Sequence, residues 1–180
     1  MSQPHGQPGN MSKVTVRPAE SADLVAVAAI YADAVRTSVA TFDVEEPPPA
    51  YWQAKLDSTA SGDHFLVAHS LVACDENDVL GFAYSGEFRS RPAYGRTRET
   101  SIYLDKASSG RGLGTRLYIA LLDLLRQDHV HVVVSVVAQP NPASNALHHK
   151  LGFTEVGTLN EVGFKFGNYV STTYFQLHLT

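Results

Sequence analysis

Apolar and polar positions alternate from Lys13 to Arg17, with Val14 and Val16 on one side, and the pattern stops at Pro18. This predicts a short first strand. From Asp23 to Arg36 the apolar positions shift to helical spacing, at Leu24, Val27, Ala28, Tyr31 and Val35. Phe42 to Ala50 carries acids and the run Pro47 to Pro49, which predicts a loop, followed by a short helix over Tyr51–Leu56. Two apolar runs, His64–Ala73 and Val79–Ser85, flank Asp75-Glu76-Asn77-Asp78 and predict a hairpin. Arg98–Leu104 predicts a further strand. Leu113, Leu117, Ala120, Leu121, Leu124 and Leu125 form one stripe of an amphipathic helix over Leu113–Leu125. The nearly unbroken valines of Val130–Ala138 predict a strand buried on both faces. Pro142–Leu151 predicts a short helix closed by Gly152, and two last strands follow near Phe153–Leu159 and Tyr169–Leu179.

The resulting order is strand, helices, three strands, helix, strand, helix, two strands, with no repeat and no linker. It predicts an α/β chain with one mixed sheet flanked by helices. The polar, Gln-, Gly- and Pro-rich start predicts a disordered tail over residues 1–12 and a single domain over residues 13–180.

Composition narrows the chemistry. Apolar residues make up 44% and charged residues 18% of 180 residues, ordinary for a globular chain. The net charge of -4 argues against a broad electrostatic hold on nucleic acid or an anionic membrane. No apolar run approaches the ~20 residues of a membrane span. A single cysteine, Cys74, excludes an intrachain disulfide and a cysteine-based zinc cluster. It lies between apolar runs and reads as a buried small residue. The expectation is a soluble, cytoplasmic protein without a metal.

Ser109-Gly110-Arg111-Gly112-Leu113-Gly114-Thr115 lies between a strand and the long amphipathic helix. Glycines there permit positive φ and close backbone approach, and the helix N-terminus offers free N–H groups to phosphate oxygens. Arg111 adds a full charge. A Walker turn would need Lys-Ser or Lys-Thr after its last glycine. A dinucleotide fold would want its glycines near the first strand. Neither pattern is present.

A second motif runs Asn141-Pro142-Ala143-Ser144-Asn145-Ala146-Leu147-His148-His149-Lys150-Leu151-Gly152-Phe153. Asn141 suits an N-cap and Pro142 a first helical turn. Asn141, Ser144, Asn145 and His148 share one face, and Leu147 and Leu151 the opposing core face. Together the two motifs, about thirty residues apart, resemble the acyl-CoA motifs of the GNAT N-acetyltransferases. Ser109 departs from the Gln or Arg usual at that position. Further segments resemble the phosphinothricin acetyltransferases and related amino-acid N-acetyltransferases: Val16-Arg17-Pro18-Ala19, Phe88 to Tyr94, Glu99 to Leu104 and Gly163-Phe164-Lys165-Phe166-Gly167. The match runs from about Val14 to the C-terminus, with departures at Phe166 and Tyr169.

The resemblance implies an α/β fold of the α+β type with a mostly antiparallel mixed sheet, and direct transfer of acetyl from acetyl-CoA to the α-amine of a small amino-acid-like substrate. It implies that Gly110, Arg111, Gly112, Leu113, Gly114 and Thr115, with Asn141 and Ser144, hold the cofactor. Backbone N–H groups of Ile102, Tyr103 and Leu104 would hold the pantetheine and the oxyanion. An amine must be neutral to attack a thioester, so a carboxylate base is needed, and Glu99 is placed for it. His148 is expected either to give a proton to the departing thiolate or to act with Glu99 on the amine, and the neighbouring His149 to point into solvent. Arg89, Arg91, Arg96 and Arg98 form a local basic cluster suited to a substrate oxyanion. The resemblance places Arg91 and Tyr94 against the substrate, Lys165 comes from the Gly-Phe-Lys-Phe-Gly loop, and Phe42 walls the pocket. A homodimer is expected from the β-rich C-terminal strands. The rival readings are transfer to another small amine or antibiotic, and a non-catalytic acetyl-CoA sensor.

Overall fold

In the computed structural model, which describes residues 14–70 and 79–179, seven strands form one sheet in the order β1-β2-β3-β4-β5-β7-β6. The elements run β1 (Val14–Pro18), α1 (Leu24–Thr37), α2 (Pro49–Leu56), β2 (Phe65–Ser70), β3 (Val79–Glu87) and β4 (Thr97–Leu104). Then come α3 (Leu113–Gln127), β5 (Val132–Ala138), α4 (Pro142–Lys150), β6 (Thr154–Lys165) and β7 (Asn168–His178). Every neighbouring pair is antiparallel except β4 and β5, which are parallel. The mixed, mostly antiparallel α/β sheet is therefore as expected. The tail over residues 1–12, Cys74 and the turn at Asp75–Asp78 lie outside the described residues.

Each sheet face has its own core. On one face α1 and α2 cover Phe65, Val67 and Phe82, with Val27, Tyr31, Val35 and Trp52 buried against them. On the other face, α3 buries Leu113, Leu117, Leu121, Leu122 and Leu125. Each such leucine contributes roughly 1.5–3 kcal/mol by leaving water. Leu113, Leu117, Leu121 and Leu125 belong to the predicted stripe, whereas Leu122 is buried outside it and Ala120 and Leu124 are only partly buried. Leu147 of α4 and Leu151 at its C-terminal cap pack against the same core.

Helix ends follow local chemistry. Pro49 opens α2 in the first turn, so the helix starts two residues before the predicted boundary. The Asn141 side chain accepts from the Ser144 N–H at 3.0 Å and caps α4. Gly152, at φ 86°, closes α4, and the Phe153 N–H reaches back to the His148 carbonyl at 3.0 Å. Among the described residues, no helix is long and apolar enough to cross a membrane.

The C-terminal hairpin corrects one expectation. Gly163, Phe164 and Lys165 do not form a loop: they are the last residues of β6, and only Phe166 and Gly167 turn the chain. Both have positive φ, 52° and 74°, as a tight hairpin turn requires. β6 ends six residues beyond the point its apolar pattern indicates. It is also an outer strand, exposed over nearly all its length.

Candidate functional site

β4 and β5 pair only from Thr97↔Val132 to Glu99↔Val134, and beyond that point they diverge. β4 stays paired to β3, and β5 to β7, so each of the two strands turns one unpaired backbone edge toward the gap. The gap is a cleft of about 350 Å³. Its walls come from β4 residues 100–104, β5 residues 135–137, the C-terminal half of α1 and the cap-side face of α4.

Strand alternation decides which β4 amides reach this cleft. The Asp105 N–H donates to the Leu80 carbonyl at 3.0 Å. With the β3–β4 register, the backbone groups of Glu99, Ser101 and Tyr103 therefore point to β3. Those of Thr100, Ile102 and Leu104 point into the cleft. Of the three expected amides, Ile102 and Leu104 are available to a ligand. That of Tyr103 is committed to the sheet, a correction that follows from the two-residue period.

The glycine turn closes one end of the cleft. A short turn, Lys106–Ser108, leads to Ser109, Gly110 and Arg111, all exposed. Gly110 and Gly112 hold φ of 75° and 73°, and Gly112 is the left-handed N-cap of α3. The Arg116 N–H is the one that donates back to Gly112, at 3.3 Å. The N–H groups of Leu113, Gly114 and Thr115 precede the first intrahelical bond and have no acceptor within the helix. A methyl group on buried Gly114 would come within 3.2 Å of Leu147 and 3.6 Å of Ile102. The bare backbone there thus belongs to the junction of α3, α4 and β4. Positive helix end, open strand edge and cleft together fit a long ligand carrying a phosphate group at one end.

His148 lies at the cleft floor with 2% of its surface exposed. Its Nδ1 donates to the Ser144 carbonyl at 2.8 Å, which fixes the tautomer. Its Nε2 accepts from the Tyr118 hydroxyl at 3.0 Å. Tyr118 is in turn 2.8 Å from Ser135 Oγ and 3.1 Å from Thr100 Oγ1. Burial lowers the His148 pKa from 6.5, opposed by the Ser144 carbonyl, so the ring is neutral at pH 7. Acidification has a signed consequence. Below pH ~6.5 the unfolded chain takes up a proton that the buried ring resists, so stability falls as pH drops from there toward the lowered folded pKa. His148→Gln should flatten this dependence, read as a smaller loss of Tm between pH 7 and pH 5 than in the wild type. The neighbouring His149 is exposed.

Glu99 occupies the last paired position before the strands part, and its side chain lies on the α1–α2 face with Ser101 and Tyr103. It does not line the cleft, whereas His148 does, from the α3–α4 side. Joint action of His148 and Glu99 on one amine is therefore not what this geometry provides. Burial raises the Glu99 pKa from 4.5, and Arg89 and Lys55 oppose that rise.

The basic cluster divides. Arg98 is 8% exposed, pairs with Asp63 at 3.5 Å and donates to the Ser61 carbonyl, so it braces the core edge. Arg89, Arg91 and Arg96 remain exposed on the connection from β3 to β4. Arg91 precedes the turn Pro92–Tyr94, and the Tyr94 ring packs on Phe88 at 5.6 Å. Phe42 and Lys165 meet elsewhere. The Phe42 ring covers Gly163, where a methyl group would stand 2.4 Å from it, and buried Lys165 donates to the Thr41 carbonyl at 2.8 Å. Lys165 thus ties its own chain's α1–α2 loop to the hairpin. Arg91, Tyr94, Phe42 and Lys165 do not line the cleft.

Sequence reasoning missed Thr100, Ser135 and Tyr118, whose hydroxyls form the cleft-floor network. Ser135 lies within a valine run, Tyr118 within the leucine-rich helix and Thr100 within the predicted strand, and no local pattern marks any of them. It also missed Lys106, which bonds to Thr37 at 2.8 Å and Asp33 at 2.9 Å and joins the glycine-turn approach to α1.

The model of the acetyltransferase (GNAT) family matches residues 27–153. The chain is 36% identical over 165 residues to the phosphinothricin N-acetyltransferase of Streptomyces coelicolor, covering 92% of this chain and 96% of that protein. It is 35% identical over 165 residues to an L-methionine sulfoximine/L-methionine sulfone acetyltransferase of Pseudomonas aeruginosa, covering 92% and 94%. A solved structure of a GNAT superfamily phosphinothricin acetyltransferase from Sinorhizobium meliloti, in complex with acetyl-CoA, superposes with a TM-score of 0.85 at 33% identity. That match covers 93% of this chain and 89% of the other.

Proposed function

The chain belongs to the GNAT acetyltransferase family, and from that premise we propose that it acetylates the α-amine of a small, anionic amino acid of the phosphinothricin, methionine sulfone or methionine sulfoximine type. It is an acetyl-CoA-dependent N-acetyltransferase. The observation that carries the reading is the open edge of β4, which begins one residue after Glu99 and ends at a glycine turn on a helix N-terminus.

Acetyl-CoA supplies an acetyl group activated as a thioester. The first-turn amides of α3, beside Gly110, Arg111 and Gly112, hold its diphosphate. The Ile102 and Leu104 amides hold the pantetheine and face the acetyl oxygen, where negative charge develops. Asn141 and Ser144 keep the far wall in place. Glu99 removes the proton from the attacking amine, directly or through water. The hydroxyl chain Thr100–Ser135–Tyr118, anchored on neutral His148, is the polar surface that faces the departing sulfur. Arg91 and Tyr94 contact the acceptor from the β3–β4 connection, while Phe42, braced by Lys165, closes its outer side.

The test is thiol release from acetyl-CoA with a panel of amines, run on wild type and Arg91→Ala. Methionine sulfone, methionine sulfoximine and phosphinothricin should be turned over by the wild type, and Arg91→Ala should raise their KM about tenfold. Thiol release confined to polyamines or aminoglycosides would overturn the substrate reading, and no release with any amine would favour a sensor.

We also infer a homodimer formed through the C-terminal hairpin. Val156, Leu159, Val162, Phe164, Phe166 and Tyr169 are 48–69% exposed on it, more apolar surface than an isolated edge tolerates. Light scattering that returned the mass of one chain would refute it. A cytoplasmic location accords with the cosubstrate, and cell fractionation tests it.

A further inference from the structure

We propose that Lys55 is a specificity-determining residue that takes the acceptor's α-carboxylate while Glu99 takes its amine. The inference rests on the amino-acid reading above.

Lys55 lies on α2, an element to which the glycine turn and the α4 motif contribute nothing. Its ammonium sits 3.9 Å from the centroid of the Tyr84 ring and 4.9 Å from that of Tyr51. It makes no hydrogen bond and no ion pair among the described residues. Asp63 and Glu99 act on it only through space. Two π-faces hold a half-buried cation less well than water does, and burial accordingly pulls its pKa down. An anion arriving at this ammonium would restore what burial removed.

The space beside it is open at Gly86. On β3, Tyr84 and Gly86 point to one face, opposite Ser101 and Glu99 of β4. A side chain at position 86 would fill the place next to Glu99. Gly86 leaves it open, with no atom within 4 Å of where a Cβ would stand. Tyr84 and Gly86 are two residues apart along the strand, ~7 Å. The Lys55 ammonium over Tyr84 and the Glu99 carboxylate opposite Gly86 therefore flank one slot from two ends. An α-amino acid carries its amine and carboxylate on a single carbon and can meet both. A simple amine would meet only Glu99 and leave the ammonium uncompensated.

The arrangement also suits the chemistry. A cation held near the amine disfavours the ammonium form of the acceptor, which favours the neutral nucleophile. With Arg89, Lys55 also opposes the rise that burial imposes on the Glu99 pKa.

The experiment compares methionine sulfone with its α-carboxamide as acceptors for wild type, Lys55→Met and Lys55→Arg. Met keeps the stem over the two rings, so its Tm should match the wild type. Wild type should favour the carboxylate over the carboxamide in kcat/KM by about tenfold or more, chiefly through KM. Lys55→Met should bring the ratio close to one, and Lys55→Arg should restore a preference. Because both acceptors meet the same Glu99, any change in the Glu99 pKa cancels in the ratio. An unchanged ratio in Lys55→Met, with the wild type active on methionine sulfone, overturns the role of Lys55 and leaves the substrate reading intact. Wild-type inactivity on both acceptors overturns the two together.

Discussion

Glu99→Gln is expected to lower turnover several-tenfold or more, with acetyl-CoA affinity close to that of the wild type. Glutamine keeps the shape of the side chain but cannot accept a proton. Glu99 is absent from the cleft walls, which on β4 begin at Thr100, so cofactor binding should not register the change. The pH profile carries a second signature. Burial raises the Glu99 pKa above 4.5, so the acidic limb of kcat/KM should lie above the range of an exposed glutamate. Activity rises as pH increases through that value, because the base works only when ionised. In Glu99→Gln that limb should be lost. Unchanged turnover in the variant would remove Glu99 from the base role.

The second large effect is expected at the glycine turn. Gly112→Val places a β-branched residue at φ 73°, a conformation that costs ordinary L-residues roughly 1–2 kcal/mol and β-branched ones more. The turn should relax away from this geometry, and the amides of Leu113, Gly114 and Thr115 would no longer converge. The dissociation constant for acetyl-CoA, read by calorimetry, should rise about tenfold or more. Wild-type affinity in Gly112→Val would show that the diphosphate is not held by this turn.

Much of the architecture was readable before folding was considered. The leucine stripe of α3, the Asn141 cap and Gly152 stop of α4, and the valine strand β5 are each specified within a dozen residues, so local patterns suffice. The hairpin was less legible. β6 continues to Lys165 because it pairs with β7, although Asn160, Glu161 and Gly163 interrupt its apolar pattern. Pairing partners override propensity where a strand is solvated on both sides. Arg98 shows the converse limit. Next to three exposed arginines in sequence it reads as one of them, yet strand alternation turns it inward to Asp63.

Sequence by itself determined the element order, the glycine turn, the capped α4 helix and Glu99 and His148 as candidate catalytic groups, because each is a short-range pattern or a family motif. Tertiary structure alone decided the rest. It opened the β4–β5 gap after Glu99, turned Ile102 and Leu104 but not Tyr103 toward it, and put Glu99 and His148 on opposite sides of the sheet. It also brought Lys55 over Tyr84 beside the empty place at Gly86. These relations join residues 29 to 49 positions apart or depend on which neighbour a strand pairs with. No periodicity along the chain encodes them.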